Sequence, residues 1–466
     1  MKVIYVMADS FRRDHLGAYG NDWIHTPNLD SLAKESALFE NAYIGSFPTV
    51  PNRRDTLLGK GDLGLPFNRW KPLENQEVTL PMRLGEKKIP SMLITDTQNN
   101  VTGNINLYKG YTAWCLNRGQ EADPCWMDAS VPLKYPVPKH LIRYPAQWWH
   151  QVLVNRAHRQ VETDWFAPGT YKLATEWLER NYKRKDFFLW IDTFDPHEPW
   201  DPPQYYTDLY DPGYTGRVFE APTYGVRKTM GITDRELNQI RARYAGEVTM
   251  VDACVGRLLA TLERLGIAGE TLLIFTSDHG TQFDYPGEGG LIQKAHALGA
   301  DGMCMPAGRP GNDDPLPRMY FPMYPAVTRV PLLVRTPGMQ KGKRVKAIVQ
   351  PWDMTATILD AFGMKKPAEL IGESLLPLIE SNAKGHRAAA VCGTNALAQA
   401  MTDRWIYTVW QNGANEPSLL DLKGDPLAER NVYAENPAVT KRLHGEIARF
   451  MRNQGIGEEL IARYAL

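Results

Sequence analysis

Short apolar runs alternate along the chain with longer amphipathic stretches. The runs are bounded by turn-forming residues, as buried parallel strands are, and they cover residues 3–7, 92–95, 187–191, 272–276 and 331–334. Ahead of the fourth run, apolar residues recur at near-helical spacing over residues 234–265, and Gly266 supplies a stop signal. Strand alternating with helix predicts an α/β fold, here a large layered α/β/α domain with a mainly parallel mixed sheet.

The pattern changes after about residue 370. Residues 403–410 alternate between polar and apolar side chains like a half-exposed strand, Gly413 marks a turn, and a second strand is predicted over residues 418–422. A charged helix follows over about residues 437–453. Antiparallel strands with one helix predict a smaller C-terminal α+β subdomain with an antiparallel sheet. We therefore predict two units, 1–370 and 371–466.

Two segments lack the periodicity of either element. Residues 99–168 are rich in Trp, Pro and Gly, and residues 295–320 carry Gly, Pro and paired Asp. Loop insertions of this length usually build the rim of a pocket. The tryptophans of the first insertion could line a sugar or aryl pocket, but we expect core packing for them; they are Trp114, Trp126, Trp148, Trp149 and Trp165.

Composition excludes several classes of function. Of the 466 residues, 53 are Lys or Arg and 53 are Asp or Glu, so the formal net charge is zero. We expect neither a nucleic-acid partner nor a membrane partner, because a neutral chain without a long apolar run attracts neither. Five cysteines without paired spacing, and an N-terminal apolar run too short for a signal peptide, predict reduced thiols in a cytoplasmic protein. A Cys115–Cys125 bridge is the alternative, and the sequence carries no signal for or against a homo-oligomer.

Acidic and imidazole side chains follow the predicted strands. In open α/β sheets, ligands bind beyond the carboxyl ends of the strands. Any one of these polar residues can be a turn or cap residue, but carboxylates gathered at one sheet edge repel each other unless a cation lies among them. Two aspartates and a histidine form a set of ligands for a divalent metal. The residues concerned are Asp9, Asp96, Asp192, Asp195, His197, Asp278 and His279.

A short helix is predicted near residue 50. Pro51 suits its first position and Gly59 its end, which leaves Thr49 just before the N-terminus. Thr49 is equally consistent with a cap and with a functional residue. Arg53, one turn on, can hold an oxyanion through two hydrogen bonds. If a metal also contacts Thr49, its hydroxyl becomes a nucleophile at neutral pH.

These residues resemble the signature of the sulfatase family, within the alkaline phosphatase-like superfamily of metal-dependent hydrolases. The family pattern is Cys or Ser-x-Pro-x-Arg with a later Gly, and this chain has Thr49-x-Pro51-x-Arg53 with Gly59. Further landmarks match in order along nearly the whole chain: Asp14-His15-Leu16-Gly17, Thr26-Pro27-Asn28-Leu29-Asp30, Asp195-Pro196-His197-Glu198-Pro199, Ser277-Asp278-His279-Gly280, Arg329-Val330-Pro331-Leu332 and Asp421-Leu422-x-x-Asp425-Pro426.

The resemblance implies roles for individual residues. The implied metal ligands are Asp9, Asp278 and His279, with Thr49 at the nucleophile position also facing the metal. The residues implied to bind the substrate anion are Arg53, His197 and Lys294, and all three, like Thr49, are counted as catalytic. His197 is also implied to protonate the leaving group. Asp96 is a further substrate-binding candidate, since it stands where many relatives grip sulfate with Lys and His. Ser10 replaces a second Asp ligand of many relatives.

The Thr at position 49 departs from the family pattern. Usual sulfatases oxidise the Cys or Ser at this position to formylglycine, which Thr cannot become because its β-carbon carries a methyl group. Unmodified Thr is the nucleophile of the phosphodiesterase branch of the same superfamily. We therefore expect a metal-dependent hydrolase of small anionic esters, and Thr chemistry favours phosphodiesters or phosphonate monoesters over sulfate esters.

Several alternatives stay open. They are an arylsulfatase-like sulfuric ester hydrolase acting without formylglycine, a catalytically silent binding protein and a phosphotransferase. We expect one divalent metal, because Thr193 stands where a second site has Asp. The ligand set favours Zn, Mn or Fe over Ca or Mg because it includes the imidazole of His279.

Overall fold

The computed structural model describes residues 1–63, 70–298, 303, 319–381, 385–394 and 396–464. Within these residues the strands are β1 (Lys2–Ala8), β2 (Ala37–Ala42), β3 (Ser91–Thr95), β4 (Ala113–Leu116), β5 (Phe187–Thr193), β6 (Gly225–Val226), β7 (Thr271–Thr276), β8 (Gln282–Phe283), β9 (Leu291–Gln293), β10 (Ala297–Leu298), β11 (Met319–Tyr320), β12 (Leu332–Arg335), β13 (Lys343–Val349), β14 (Ala390–Gly393), β15 (Leu397–Met401), β16 (Trp405–Trp410) and β17 (Ser418–Asp421). The α-helices are α1 (Pro27–Lys34), α2 (Thr49–Leu58), α3 (Leu80–Glu86), α4 (Ala146–Arg156), α5 (Phe166–Asn181), α6 (Gln204–Thr207), α7 (Asp234–Arg264), α8 (Pro325–Thr328), α9 (Trp352–Ala361), α10 (Leu376–Glu380), α11 (Pro437–Asn453) and α12 (Glu458–Ala462).

An eight-stranded sheet forms the centre of the larger part of the molecule. Its strand order is β13-β2-β12-β7-β1-β5-β3-β4. β1 runs parallel to both neighbours, β5 and β7, while β12 is antiparallel to β7 and β2. The sheet is therefore mixed and mainly parallel, as predicted. Each of the five predicted apolar runs lies wholly or mostly within one of its strands.

Both faces of this sheet are covered by helices. Along β1, Val3, Tyr5 and Met7 point into one apolar core, and the alternate residues point into another. Helices α2 and α9 contribute to the first core, whereas the long α7 contributes to the second. Because strand side chains alternate between faces, burial on both sides requires strands as apolar as β1. The layered α/β/α prediction is confirmed.

The long helix begins and ends where its sequence signals lie. The Thr233 hydroxyl accepts a hydrogen bond from the Glu236 amide, and the Glu236 carboxylate accepts one from the Thr233 backbone N–H, forming a capping box. At the other end Gly266 takes a φ of +69°, a left-handed conformation that glycine adopts without steric cost. The prediction over residues 234–265 is confirmed to within one residue.

The C-terminal residues form a separate antiparallel sheet, ordered β14-β15-β16-β17. Helix α11 packs on it through Leu443, Ile447 and Met451, with Tyr407 and Val409 of β16 in the same core. The predicted α+β arrangement is confirmed, whereas the boundary at residue 370 stays a prediction. In the first insertion Trp149 is buried and Trp165 half-buried, but core packing is wrong for three other tryptophans; Trp114, Trp126 and Trp148 are 42%, 54% and 50% exposed.

The structure also bears on three smaller expectations. Cys115 and Cys125 are free thiols, so the alternative of a bridge between them is wrong. No helix among the described residues combines the length and apolar character that a membrane crossing requires. Most of the second predicted insertion, 295–320, and with it Cys304, lies outside the described residues.

The helix near residue 50 begins earlier than predicted. Thr49 is its first residue, Pro48 precedes it as the cap residue, and Gly59 ends it with a φ of +65°. Pro51 therefore occupies the third position instead of the first. The first turn of any helix has unpaired N–H groups, so proline fits there as well. The interpretation of Thr49 as a helix cap is wrong.

We predict that Gly280→Ala destabilises the protein. A Cβ atom at Gly280 would lie 2.0 Å from the carbonyl oxygen of Ala326, so backbone must shift. Overpacking of this kind lowers the free energy of unfolding by about 1–3 kcal/mol, which thermal or urea unfolding measures. Gly269→Ala is the matched control, because a Cβ there has no neighbour within 4 Å. Equal stability of the two variants would contradict the prediction.

Candidate active site

Three predicted metal ligands converge where β1 and β7 end side by side. Asp9 follows β1, and Asp278 and His279 follow β7. Because these strands are parallel neighbours with Met7 paired to Thr276, their carboxyl ends are adjacent. One ligand atom from each of the three residues lies within 4.8 Å of the others, and all three residues are buried. We refer to Asp9, Asp278 and His279 as the ligand cluster.

His279 presents an unused nitrogen to the two carboxylates. Its Nδ1 lies 2.9 Å from the carbonyl oxygen of Gly280, which fixes the hydrogen on Nδ1 and leaves the lone pair on Nε2. Nε2 lies 3.6 Å from an oxygen of Asp278 and 4.0 Å from one of Asp9, and it has no hydrogen-bond partner in the described residues. Burial lowers the pKa of His279 to about 4. A neutral imidazole with a free, buried lone pair fits a metal ligand.

The carboxylates of the cluster repel each other. Burial, and after it the neighbouring charge of Asp278, raises the pKa of Asp9 well above its usual range. Two buried carboxylates facing one unpartnered imidazole nitrogen are a donor set that a divalent cation satisfies. The residues present therefore fit the metal that the sequence predicts.

Arg53 joins the start of α2 to the ligand cluster. Its Nη1 donates to Asp278 at 2.6 Å, to Asp9 at 3.1 Å and to the carbonyl oxygen of Thr49 at 3.2 Å. Its Nε and Nη2 donate to the two oxygens of Asp192 at 2.8 and 2.7 Å. The guanidinium is buried among carboxylates of the protein, and its contact with a substrate anion stays a prediction.

Thr49 is therefore held close to the acidic residues through its backbone. It is the first residue of α2 and is 3% exposed. Arg53, four residues later on the same helix, binds both its carbonyl oxygen and the carboxylates of Asp9 and Asp278. The structure thus brings the predicted nucleophile and the predicted ligands to one place.

Lys294 and His197 are brought to the same site through Glu198. The Lys294 Nζ donates to Glu198 at 2.9 Å and to the Ser10 hydroxyl at 3.3 Å. Ser10 in turn donates to Asp9 at 2.8 Å. His197 places its Nδ1 2.6 Å from the Glu198 carbonyl oxygen. Burial lowers the pKa of His197 well below its usual value, so the free imidazole is neutral at neutral pH.

Ser10 hydrogen bonds to both carboxylates of the ligand cluster. Its backbone N–H donates to Asp278 at 3.0 Å and its hydroxyl to Asp9. It takes a φ of 61°, an uncommon conformation for a residue with a Cβ atom. Ser10 therefore orients both carboxylates of the ligand cluster while adding no negative charge.

Asp96 lies next to Asp192, and its N–H donates to the Asp192 carbonyl oxygen at 3.2 Å. Its carboxylate accepts hydrogen bonds from Thr170 at 2.8 Å, Thr193 at 3.0 Å and the backbone of Phe194 at 2.5 Å. Burial, followed by the charge of Asp195, raises the pKa of Asp96 well above its usual range. These contacts give Asp96 a structural part at the end of β5, and they do not support the expectation that it binds substrate.

Sequence reasoning assigned no role to several residues of the site. Asp192 accepts two hydrogen bonds from Arg53. Its position at the end of a predicted strand is the sequence feature that indicates a place near the site. Glu198 was noted only as part of the Pro-His-Glu-Pro motif. Arg143 and Tyr224, which contact Glu198, lie in segments without periodicity, where no pattern in the sequence points to them.

Comparison with known proteins identifies the family of the chain. The sulfatase family model matches residues 2–364, and a model of the C-terminal part of N-sulphoglucosamine sulphohydrolase matches residues 319–453. An arylsulfatase of Clostridium perfringens is 26% identical over 92% of this chain and 89% of its own length. Arylsulfatase K of Homo sapiens is 24% identical over 95% of this chain and 80% of its own length.

Solved structures share the fold over almost the whole chain. A phosphonate monoester hydrolase of Agrobacterium radiobacter matches with a TM-score of 0.71 at 19% identity, over 97% of this chain and 96% of that one. A structure in complex with its substrate, D-glucosamine-2-N,6-O-disulfate, matches with a TM-score of 0.73 at 18% identity, over 98% and 99%. The family match over residues 2–364 and the converging ligand cluster lead to one conclusion: the chain belongs to the sulfatase family of metal-dependent hydrolases.

Proposed function

We propose that the protein hydrolyses monoanionic esters, preferably phosphodiesters or phosphonate monoesters, with unmodified Thr49 as the nucleophile. The observation that carries this proposal is the position of Thr49, at the start of α2, tied by Arg53 to Asp9 and Asp278. The hydroxyl of Thr49 is the only side-chain group of that residue able to attack phosphorus or sulfur. Oxidation would give it a ketone in place of formylglycine.

Asp9, Asp278, His279 and Thr49 are the residues that would hold a divalent cation. Such a cation supplies positive charge that lowers the pKa of a hydroxyl and offsets negative charge in the transition state. We propose a single ion, of Zn, Mn or Fe in preference to Ca or Mg, because the unpartnered Nε2 of His279 is a nitrogen ligand.

The reaction has two steps. In the first, the Thr49 oxygen forms a bond to phosphorus as the bond from phosphorus to the leaving oxygen breaks, which leaves a phospho-threonine. In the second, water forms a bond to that phosphorus and gives a proton to His197, while the bond from phosphorus to the Thr49 oxygen breaks. The Thr49 oxygen takes a proton from solvent, which replaces the one that its hydroxyl loses to solvent in the first step. Lys294 and Arg53 stabilise the negative charge of both transition states.

His197 is the proposed acid for the leaving oxygen. Its Nδ1 is hydrogen bonded to the Glu198 carbonyl oxygen, so Nε2 is the nitrogen that exchanges a proton with the substrate. Burial keeps the free imidazole neutral, and an anionic ester beside it favours the protonated form. The substrate therefore promotes the protonation that its own cleavage requires.

A sulfuric ester hydrolase without formylglycine is the second candidate. The similarity to arylsulfatases of Clostridium perfringens and Homo sapiens favours it. Sulfate monoesters carry the same single charge and tetrahedral shape as phosphodiesters, so the same residues would bind them. A silent binding protein and a phosphotransferase are further alternatives. All the proposed site residues lie within 1–370, which we take as the catalytic domain.

We predict that Thr49→Ala lowers kcat at least about a thousandfold, because loss of a nucleophile removes the covalent step. Thr49→Ser, which keeps the hydroxyl, is the matched control and retains measurable activity. The measurement uses aryl sulfate, phosphate monoester, phosphodiester and phosphonate substrates with metal-loaded enzyme. We expect phosphodiester or phosphonate turnover to exceed sulfate turnover, and a mass increase on the Thr49 peptide after substrate addition.

The alternatives give different results in the same experiment. Faster turnover of aryl sulfate supports the sulfatase candidate, and transfer to an added alcohol supports a phosphotransferase. Absence of turnover by the wild type on every substrate, with Thr49→Ala binding ligands as tightly, would leave the binding protein.

We predict that His279→Ala weakens binding of Zn²⁺ or Mn²⁺ at least about tenfold, because it removes the nitrogen ligand of the cluster. Isothermal titration calorimetry of metal-stripped protein measures both the affinity and the number of ions. The control is His444→Ala, since His444 contacts Tyr407 in the C-terminal sheet. Equal affinity in the two variants, or tighter binding of Ca²⁺ than of Zn²⁺, would contradict the assignment.

A further inference from the structure

We propose that Glu198 is a positioning residue that holds Lys294 and His197 together beside the ligand cluster. This inference rests on the proposed function of the same site, because Lys294 and His197 are the residues through which Glu198 would act. It assigns the role to the carboxylate itself and not only to the loop in which Glu198 lies.

Glu198 is a fully buried carboxylate with four polar partners. One oxygen, Oε2, lies 2.9 Å from the Lys294 Nζ and 3.3 Å from His197 Nδ1. The other, Oε1, accepts a hydrogen bond from the Tyr224 hydroxyl at 2.7 Å and pairs with Arg143. The side chain is 0% exposed. A buried charge is tolerated only when it is paired and hydrogen bonded, and here both oxygens are.

The two oxygens have different tasks. Oε1 is held by Arg143 and Tyr224, which fixes the orientation of the carboxylate. Oε2 then faces the two side chains that the mechanism uses. The contacts of Oε1 with Arg143 and Tyr224 also fix the position of Oε2. The ammonium of Lys294 and the imidazole of His197 therefore lie next to the same fixed oxygen atom.

The same arrangement connects the two halves of the site. Lys294 bridges Glu198 and the Ser10 hydroxyl, and Ser10 donates to Asp9 of the ligand cluster. A hydrogen-bonded path therefore runs from Glu198 to a predicted metal ligand. Lys294 is held at both of these contacts, which limits where its charge meets a bound anion.

The variant Glu198→Gln distinguishes two roles of Glu198, that of a residue that positions Lys294 and His197 and that of a nearby negative charge. It keeps the size and shape of the side chain, removes its charge and places an N–H donor where one oxygen was. If Glu198 acted only as a nearby negative charge, its removal would strengthen binding of an anion. If it positions Lys294 and His197, its removal weakens binding, because the ammonium of Lys294 loses its charged partner and His197 Nδ1 keeps only its hydrogen bond to the Glu198 carbonyl oxygen.

The first measurement is the affinity of metal-loaded protein for inorganic phosphate, by isothermal titration calorimetry. We expect Glu198→Gln to raise the dissociation constant about tenfold. Glu121→Gln is the matched control. Glu121 is a half-buried carboxylate that also lies next to Arg143, at 3.6 Å, and it accepts a hydrogen bond from Tyr144 at 2.6 Å. We expect its phosphate affinity to stay within about twofold of the wild type.

The second measurement is the dependence of kcat/KM on the leaving group, with esters of alcohols of different pKa. We expect Glu198→Gln to lower kcat/KM about 10- to 100-fold, and to lower it more for poor leaving groups, which need the proton from His197. Glu198→Asp keeps the charge and is expected to recover part of the loss. Thermal unfolding checks that each variant is folded, and Tyr224→Phe, which removes one hydrogen bond to Oε1, gives a milder test.

The outcomes are distinguishable. Unchanged or tighter phosphate binding by folded Glu198→Gln and Tyr224→Phe overturns the positioning role. If wild-type protein turns over no ester but phosphate binding weakens in Glu198→Gln and not in Glu121→Gln, the proposed function fails and the positioning role stands. Equal losses in Glu198→Gln and Glu121→Gln would show a general effect of charge removal and would also overturn the proposal.

Discussion

The site depends on one buried cation among three buried carboxylates. Arg53 donates to Asp9, Asp192 and Asp278 at the ends of three adjacent strands, β1, β5 and β7. Removal of a buried partner leaves charges that nothing compensates, at a cost of about 3–5 kcal/mol. The guanidinium therefore fixes where α2 begins relative to the sheet, and with it the position of Thr49. The parallel strands place the three carboxylates close together, and the positive charge of Arg53 offsets the repulsion between them.

Glu198 is a second buried charge that contacts several groups of opposite charge. The Glu198 carboxylate pairs with Lys294 and Arg143. The Arg53 guanidinium, by contrast, is a buried cation that pairs with three carboxylates. Ser10 links the two groups, since it accepts from Lys294 and donates to Asp9. With these pairs satisfied, the Nε2 of His279 remains as the buried polar atom of the ligand cluster that has no partner in the described residues. This nitrogen faces the two carboxylates with which it would hold a metal.

The sequence predicts the sheet and the ligand cluster well for the same reason. Strands buried on both faces are short apolar runs, and residues directly after parallel strands meet at one edge, which gives a set of candidates that includes Asp9, Asp278 and His279. The resemblance to the sulfatase family selects these three residues from that set. The rule also selects Asp96, but it gives no role for this residue, and in the structure hydroxyl and backbone donors satisfy the Asp96 carboxylate. The start of α2 is two residues earlier than predicted because proline is accepted throughout the first helical turn. The sequence could not predict the role of Arg143, because its partner Glu198 is distant in sequence and the loop that contains Arg143 has no periodic pattern of apolar residues.

Charge balance bears on the class of ester that this site suits. The carboxylates of Asp9, Asp192, Asp278, Glu198 and Glu121 face the side chains of Arg53, Lys294 and Arg143, which leaves two negative charges. A divalent cation in the ligand cluster would neutralise them. An aspartate at position 10 would add one more negative charge, and Ser10 avoids it. A neutral, buried site suits an anion of single charge better than a dianion, because each further charge must be taken out of water without a fixed counter-charge. Phosphodiesters, phosphonate monoesters and sulfate monoesters share that single charge, whereas phosphate monoesters are mostly dianions at neutral pH. This charge balance supports the proposed preference for monoanionic esters, and the proposed choice among the monoanions rests on the chemistry of Thr49.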